Sequence, residues 1–277
     1  MKKSVISAIL AIACTSSILF SGCAITDEMW YENADKYTAG GGNVTGTVTE
    51  LEIDWIDGNV EIVYGDVEGV TFSETSKETL TMEHTLHYWL ENTTLHIKFA
   101  QSKKMVALNR YPEKDLKVIL PNSLALNELD VEAVNTNVML TDILAADVEI
   151  KTVDGEVNAY LGGTTREISV ETVEGDITIK GSALSQFEVE TVGAEVYVES
   201  TTAPLSGSFE SVGGSLTLAL VDSIEGFTFE VDGLGGTFTS DFETTKQDDR
   251  YVYGSGICQY EAETVGGNVT VVKKTAK

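Results

Sequence analysis

The main pattern in this chain is a twelve-residue alternation of apolar and polar positions that recurs along the sequence. In each copy, apolar residues at every second position form two short strands around a corner that usually contains glycine. Valine and threonine, which favour strands, are abundant within the copies. Eight copies occur, at residues 51–62, 129–140, 148–159, 168–179, 187–198, 207–218, 229–240 and 260–271.

The spacing of the copies indicates how they assemble. From Val134 onward, the central apolar residues are separated by 19, 20, 19, 20, 22 and 31 positions. A unit of about 20 residues cannot bury its apolar face alone, but stacked units bury it against the next rung. We therefore predict an all-β fold, a parallel β-solenoid. The alternative is a sandwich of similar hairpins, whose loops would vary more in length.

The remaining segments suggest a division of the chain. Residues 44–123 contain the early copy and a hairpin-like pair of strands, and we predict that they form an N-terminal β cap. Residues 124–277 form the predicted solenoid repeat region. Residues 23–43, which include consecutive glycines, are predicted to be a flexible tether.

The first 22 residues are typical of a secretory signal. Lys2 and Lys3 precede an apolar run at residues 5–20, which is short for a membrane span. The run ends in Ser-Gly-Cys23, which resembles a bacterial lipobox and implies lipidation of Cys23. An ordinary secretory signal with an incidental cysteine is the alternative. A lipid at Cys23 would anchor the protein to the bacterial cell membrane, on the extracytoplasmic side.

Cysteine usage predicts that the mature protein has no intramolecular disulfide. Cys14 lies in the segment to be removed and Cys23 is the lipid site, so only Cys258 remains. Cys258 has no histidine near it in sequence, and we interpret it as a small buried apolar residue.

The net charge of the chain limits the kinds of molecule that it can bind. The chain has 18 basic and 44 acidic residues, a net charge of −26, and loss of residues 1–22 makes it −28. Nucleic-acid binding requires a basic surface and is excluded. Residues 124–272 alone carry 27 acids and 5 bases.

The acidic residues recur at fixed positions of the repeat. Outward-facing positions two and four before each central apolar residue should form two stacked columns, with rungs about 4.8 Å apart. The first column is predicted to contain Asp54, Glu132, Lys151, Glu171, Glu190, Glu210, Asp232 and Glu263. The neighbouring column is predicted to contain Glu52, Asp130, Glu149, Ser169, Glu188, Ser208, Glu230 and Glu261.

These columns have two interpretations. They form a solvated face that resists aggregation, or they bind divalent cations weakly, since Ca²⁺ prefers several oxygen ligands. The weak Ca²⁺ candidates are the seven acids of the first column. No EF-hand loop or other tight metal motif is present, so no metal site or resident cofactor is predicted.

The sequence provides no catalytic motif. It lacks a nucleophile elbow, a phosphate-binding loop and a His-Glu-x-x-His motif, so we predict that the protein is not an enzyme. His87 and His96 share a non-core face with Trp89 and Lys98, without the further ligands that a metal site needs. A polysaccharide-active β-helix enzyme remains an alternative, because such enzymes also carry carboxylates on a solenoid face.

Two other segments are candidate recognition surfaces. Lys103, Lys104, Arg110, Lys114 and Lys117 form the main basic stretch, either a solvated loop or a contact for an anionic polymer or an acidic partner. The 31-residue interval before the last copy contains Tyr251 and Tyr253, which suit a contact loop; an ordinary insertion is the alternative.

Several segments together resemble a family. The lipobox, the strand pair at residues 53–60, the strand at residues 114–121 and the repeated Thr-Val-x-Gly-x-Val are similar to bacterial surface β-strand-repeat proteins. These proteins carry a domain of unknown function and are proposed adhesins. The resemblance implies a non-enzymatic, adhesin-like binding or scaffold module with an extracellular protein or glycan ligand. The alternative function is an envelope stress or regulatory sensor lipoprotein.

Overall fold

The structure, a computed structural model, describes residues 30–102 and 111–274. These residues form twenty strands and one short 3-10 turn at Ala34–Lys36. In chain order the strands are β1 (Thr38–Ala39), β2 (Gly42–Val44), β3 (Glu50–Gly65), β4 (Val70–Ser76), β5 (His87–Glu91), β6 (Thr94–Lys98), β7 (Lys114–Pro121), β8 (Leu126–Ile143), β9 (Ala145–Thr152), β10 (Val157–Thr172), β11 (Ile177–Thr191), β12 (Glu195–Ser200), β13 (Ser206–Ser211), β14 (Ser215–Val221), β15 (Gly226–Leu234), β16 (Phe238–Ser240), β17 (Thr245–Gln247), β18 (Arg250–Gly254), β19 (Cys258–Val265) and β20 (Val269–Lys274).

The strands form two faces that pack against each other. Strands β3, β8, β10 and β11 are long and contribute to both faces. The first face runs in spatial order β1, β5, β6, β3, β8, β9, β10, β11, β13, β19, β15, β18, β17. The second face runs β2, β4, β7, β3, β8, β10, β11, β12, β14, β20, β16.

Parallel pairing dominates both faces. All pairings from β6 to β15 on the first face and from β7 to β16 on the second are parallel, and each copy of the repeat is one rung. The predicted parallel β-solenoid is therefore confirmed. Antiparallel pairs occur at the two ends: β1, β2, β4 and β5 at one end and the hairpin β17–β18 at the other.

The stacking order departs from the chain order at one place. The last copy, β19 and β20, lies between the sixth copy and the seventh: β19 pairs with both β13 and β15, and β20 pairs with β14 and β16. The order of the rungs therefore differs from the order of the copies along the chain at the last two rungs. The chain runs out to the end of the stack with β15 and β16, forms the hairpin β17–β18, and returns to fill the rung beneath.

The alternation places the core between the faces. The apolar residues of each copy point inward and are buried, as with Ile168, Val170, Ile177 and Ile179 on one rung. Burial of such side chains is the main favourable contribution to folding, at roughly 1.5–3 kcal/mol for each.

In five of the eight rungs the corner is held by a buried hydroxyl. The residue before the central valine is buried in five rungs, although it is polar: Thr152, Thr172, Thr191, Ser211 and Thr264. Thr172 Oγ1 donates to the Glu174 carbonyl at 2.7 Å, and Thr264 Oγ1 accepts from the Gly267 N–H at 3.1 Å. These bonds pair backbone groups that the turn leaves without a strand partner.

The cap is continuous with the solenoid. The early copy in β3 pairs in parallel with β8 along most of its length, so the sheet crosses the predicted boundary at residue 124 without a break. Residues 31–43 are not a flexible tether, contrary to the prediction: Tyr31 Oη donates to the Ala100 carbonyl at 3.0 Å, and β1 and β2 pair with β5 and β4. Residues 23–29 lie outside the described residues.

Within residues 30–102 and 111–274, no helix has the length and apolar character needed to cross a membrane.

Candidate functional site

The predicted acidic columns form on the outer side of the first face. Cross-strand register places Glu132 beside Lys151, Lys151 beside Glu171, and Glu171 beside Glu190. The register then continues through Glu210, Glu263 and Asp232, in that order. The two columns are named here the acidic face, which comprises Asp54, Glu132, Lys151, Glu171, Glu190, Glu210, Glu263 and Asp232, and Glu52, Asp130, Glu149, Ser169, Glu188, Ser208, Glu261 and Glu230.

Basic side chains close the acidic face at both ends. At the cap, Lys98 Nζ lies 2.5 Å from Asp54 Oδ2, and His96 Nδ1 lies 2.7 Å from Glu52 Oε2. At the other end, Arg250 Nε donates to Glu230 Oε2 at 2.9 Å. Sequence reasoning missed these three partners. The alternating Leu95-His96-Ile97-Lys98 of β6 was the available signal, because it extends the same in-and-out pattern by one rung.

Lys151 is the one basic residue inside the columns. Its Nζ contacts Glu149 Oε1. Burial acts to lower the pKa of Lys151, but the hydrogen bond to Glu149 and the charges of Asp130 and Glu132 outweigh it and raise that pKa. The positive charge therefore offsets repulsion within the acidic face at this rung.

Beyond Lys151, five successive rungs carry an unbroken line of carboxylates, from Glu171 to Asp232. Burial, reinforced by the neighbouring Glu190, raises the pKa of both Glu171 and Glu210 to about 7. The pKa values of Glu190 and Glu263 are also raised by burial and by neighbouring carboxylates. This part of the acidic face is therefore partly protonated near neutral pH.

Asp130 has a partly buried carboxyl group in an unfavourable electrostatic environment. Its Oδ1 atom is buried and has no hydrogen-bond partner. Burial, followed by the charges of Glu132 and Glu149, raises the pKa of Asp130 to about 7. In the folded protein Asp130 therefore takes up a proton at a higher pH than an exposed aspartate does.

Cation binding by the columns stays a prediction. In the part of the chain that the structure describes, no group of three or more His, Cys, Asp or Glu side chains is arranged to hold a metal ion. Asp54, Glu132, Glu171, Glu190, Glu210, Asp232 and Glu263 form a line with one carboxyl group per rung, interrupted only at the rung of Lys151.

A polar cleft of about 330 Å³ interrupts the acidic face near the hairpin end. Its lining includes Ser206, Gly207 and Ser208 of β13, which are smaller than the residues beside them on β11 and β19. Its walls include Gln186 and Gln259, and the Arg250–Glu230 pair lies at one side. The lining of amide, hydroxyl and charged groups suits a polar ligand.

The outer side of the second face is far less charged. Its central column runs in register through Asn158, Thr178, Tyr197, Thr217, Thr270 and Thr239. The acidic charge therefore lies on one side of the solenoid and at its corner, where Asp154, Glu156 and Glu174 are exposed.

The histidines do not form a joint site. His96 pairs across the hairpin with Trp89 and stacks on it, with ring centroids 5.7 Å apart, whereas His87 pairs with Lys98. His87 is buried, and its Nδ1 lies 2.9 Å from the Thr85 carbonyl.

Of the described lysines of the basic stretch, one is exposed and one is buried. Lys103, Lys104 and Arg110 lie outside the described residues, and Lys117 forms an exposed pair with Glu61 at 2.8 Å. Lys114 is wholly buried and cannot meet a polymer, contrary to the prediction. Its Nζ lies 2.6 Å from Glu74 Oε2 and also donates to the carbonyls of His84 and Phe99.

The tyrosines of the long interval belong to a hairpin, not to a projecting loop. Strand β18 pairs antiparallel with β15 and continues the first face. Tyr253 packs against Phe227 and Phe242, and Tyr251 stacks on Phe238 with ring centroids 3.9 Å apart. Both tyrosines are half-buried and cover the end of the core, and their role as contact residues stays a prediction. Cys258 is buried beneath them, as expected.

Several solved structures are similar to this chain. They include a proposed adhesin from Parabacteroides distasonis ATCC 8503, at 15% identity and TM-score 0.47, covering 86% of this chain and 97% of that one. A proposed cell adhesion protein from Clostridium sporogenes ATCC 15579 has 13% identity and TM-score 0.39, covering 86% and 100%. A proposed lipid binding protein from Parabacteroides distasonis ATCC 8503 has 13% identity and TM-score 0.41, covering 85% and 96%.

No curated protein matches the chain. The family model described as Toastrack DUF4097 matches residues 70–272, which span about the last two thirds of the cap and nearly the whole repeat region. This match confirms the family resemblance that the repeats indicate. The chain belongs to the Toastrack DUF4097 family.

Proposed function

We propose that this protein is a non-enzymatic binding module of the bacterial cell envelope, held at the membrane by a lipid on Cys23. Its working surface is the acidic face, and its ligand is the basic surface of an extracytoplasmic protein. The observation that carries this proposal is the unbroken line of carboxylates from Glu171 to Asp232, in register over five rungs of a rigid stack.

Charge complementarity supports a basic partner. Carboxylates held in one row create a continuous negative potential, which attracts a basic surface and repels anionic polymers. The row contains no cation between Glu171 and Asp232 to neutralise it, and the central column of the second face, from Thr178 to Thr239, is uncharged over the same rungs. A partner would therefore bind on the first face.

Binding to immobilised envelope proteins and glycans tests this proposal. The soluble chain of residues 24–277 should bind basic proteins, and the double variant Glu190→Gln/Glu210→Gln should bind them at least tenfold more weakly. The matched control is Glu156→Gln/Glu174→Gln, which removes the same number of carboxyl groups from the exposed corner. Equal loss in both variants would indicate attraction by net charge alone and would contradict a specific face.

Two further measurements test the other parts of the proposal. Cys23→Ser should move the protein from the membrane fraction to the soluble fraction, and unchanged retention would reject the lipid anchor. Incubation of the pure protein with wall and pectin-type polysaccharides should release no new reducing ends. Release that depends on the intact acidic face would favour the polysaccharide-active enzyme.

A further inference from the structure

The cap end of the solenoid carries two exposed apolar side chains, one of which follows the predicted lipid site closely in sequence. Trp30 is 52% exposed and Met82 is 72% exposed. Both flank one short segment of chain: Tyr31 N donates to Ser102 Oγ at 3.0 Å, and the Glu83 carbonyl accepts from Gln101 N at 3.0 Å. The other large exposed apolar residues of the described chain lie in its C-terminal half, at Leu205, Leu234 and Ile257.

The chain is fixed to the cap immediately after Trp30. Besides the bond from its backbone N–H, Tyr31 accepts a hydrogen bond from Ser102 Oγ at its carbonyl, and its own hydroxyl donates to the Ala100 carbonyl. Its ring packs against Tyr37 with centroids 4.6 Å apart. A pull on the N-terminal segment is therefore transmitted to the cap at Tyr31.

Covalent geometry limits how far the cap can lie from a lipid on Cys23. Trp30 lies seven positions after Cys23, and a fully extended chain spans at most about 3.5 Å per position, or about 25 Å in total. Tryptophan is enriched at the boundary between lipid and water, where its ring is apolar and its N–H remains hydrated. Trp30 therefore has both the position and the chemistry to contact the bilayer surface.

The opposite end is held well away from the cap. From β6 to β17 the first face has ten strand-to-strand spacings of about 4.8 Å, or about 48 Å. The acidic face disfavours lying flat on an anionic leaflet, because its carboxylates and the lipid phosphates repel each other. An upright solenoid removes most of its carboxylates from the bilayer by more than a Debye length.

We propose that the cap end, at Trp30 and Met82, lies against the lipid bilayer, and that the hairpin β17–β18 points away from it. This orientation rests on the lipid anchor of the proposed function. It presents the polar cleft and the unbroken carboxylate line toward a partner outside the membrane.

Tryptophan fluorescence tests the contact. The lipidated chain is reconstituted in vesicles of phosphatidylcholine and phosphatidylglycerol, with or without brominated phosphatidylcholine, which quenches nearby indoles. The three tryptophans differ in their solvent exposure: Trp30 is exposed, Trp89 is half-buried, and Trp55 is only 1% exposed. Brominated lipid should quench the wild-type emission, and Trp30→Phe should remove at least half of that quenching, whereas Trp89→Phe should leave most of it. Quenching that is absent, or unchanged by Trp30→Phe, would overturn the contact.

Energy transfer to the membrane tests the orientation. A donor dye is attached at Met82→Cys or at Lys246→Cys, and acceptor-labelled lipid is added to the same vesicles. Cys258 is only 5% exposed, so wild-type protein serves as the control for background labelling. Transfer should be several-fold larger from position 82 than from position 246. Equal transfer would indicate a solenoid lying flat, and larger transfer from position 246 an inverted one; either would overturn the proposal.

Flotation of the same vesicles separates the two failures. If the protein does not float with the vesicles, the lipid anchor is wrong and the orientation fails with it. If the protein floats but shows no quenching and no difference in transfer, the anchor stands and only the orientation is wrong.

Discussion

Glu210 on β13 lies directly opposite Glu263 on β19, although 53 residues separate them in the chain. The inserted last rung creates this contact, because a sequential stack would have placed Asp232 beside Glu210. Each of these two glutamates lies within an unbroken line of carboxylates, and the pKa of each is raised.

The first prediction concerns pH. The pKa of Glu171 and of Glu210 rises from 4.5 to about 7 on folding, so the folded state binds more protons than the unfolded state between these values. The ionised Glu171 and Glu210 therefore destabilise the folded state fully above pH 7, and this effect disappears as the pH falls toward 4.5. The Tm should therefore rise as the pH is lowered from 8 to 5. Glu171→Gln/Glu210→Gln should flatten this rise and increase the Tm at pH 8; a Tm that falls from pH 8 to pH 5 would contradict it.

The second prediction concerns cations. Rungs about 4.8 Å apart bring carboxylates within a Debye length, so their repulsion is incompletely screened at low salt. Millimolar CaCl₂ or MgCl₂ should raise the Tm more than NaCl of the same ionic strength, through weak preferential binding to the folded state. Calorimetric scans of one sample in the three salts measure this. Equal Tm values would leave screening as the whole effect.

The third prediction concerns Lys151, which interrupts the first column beside Glu132 and Glu171. Lys151→Glu converts the two favourable pairs with Glu132 and Glu171 into two repulsive pairs of like charge. Each cross-strand pair contributes roughly 0.2–1 kcal/mol. We expect a loss of about 1 kcal/mol in the free energy of unfolding at low salt, and a larger stabilisation by CaCl₂ than in wild type. Lys151→Gln is the control, since it removes the cation without adding an anion and should have an intermediate effect.

The fourth prediction concerns the buried hydroxyl at the inserted corner. Thr264→Val keeps the side-chain shape but removes the acceptor of the Gly267 N–H. An unpaired buried donor costs about 1–3 kcal/mol, so the free energy of unfolding in urea should fall by that amount. Thr264→Ser retains the hydroxyl and should recover most of the loss. Equal stability of the Val variant and wild type would show that the corner N–H finds another partner.

The fifth prediction concerns the buried pair in the cap. Burial lowers the pKa of Lys114 to about 8, and Glu74 Oε2 lies 2.6 Å from its Nζ. Lys114→Met leaves the Glu74 side chain, only 7% exposed, without its cationic partner, which should cost about 3–5 kcal/mol. The double variant Lys114→Met/Glu74→Leu should be more stable than the single variant by at least about 1 kcal/mol in chemical denaturation. A double variant as unstable as the single one would show that the pair itself is required.

Much of the acidic face could be predicted from the sequence. Strand side chains alternate with a period of two, so Glu171 and Glu190 had to point outward once Ile168, Val170, Phe187 and Val189 pointed inward. Parallel stacking then places equivalent positions of successive copies side by side. The basic residues that close the columns were less visible, because Lys98 and Arg250 lie outside the repeats.

The buried state of Lys114 was missed, although strand alternation indicated it. Leu116, Val118 and Leu120 point inward and Asp115 and Lys117 are exposed, so the same period of two places Lys114 on the inward side. Only tertiary contact with Glu74, Trp55 and Phe99 supplies the partners that allow a lysine to be buried there.

The sequence by itself determined the repeat, the parallel stack and the side of each strand that faces the core, because all three follow from local periodicity. It did not determine which copy lies beside which, since every copy presents the same pattern of backbone and side chains. The tertiary structure decided the order of the copies through the packing of particular side chains. A Cβ at Gly207 would overlap the ring of Phe187, and Tyr260 lies in register with Gly207, stacks near Phe187 at 6.2 Å and donates its hydroxyl to the Pro204 carbonyl at 2.7 Å. Close packing of unequal side chains around one glycine thus places the last copy inside the stack and leaves the seventh at its end.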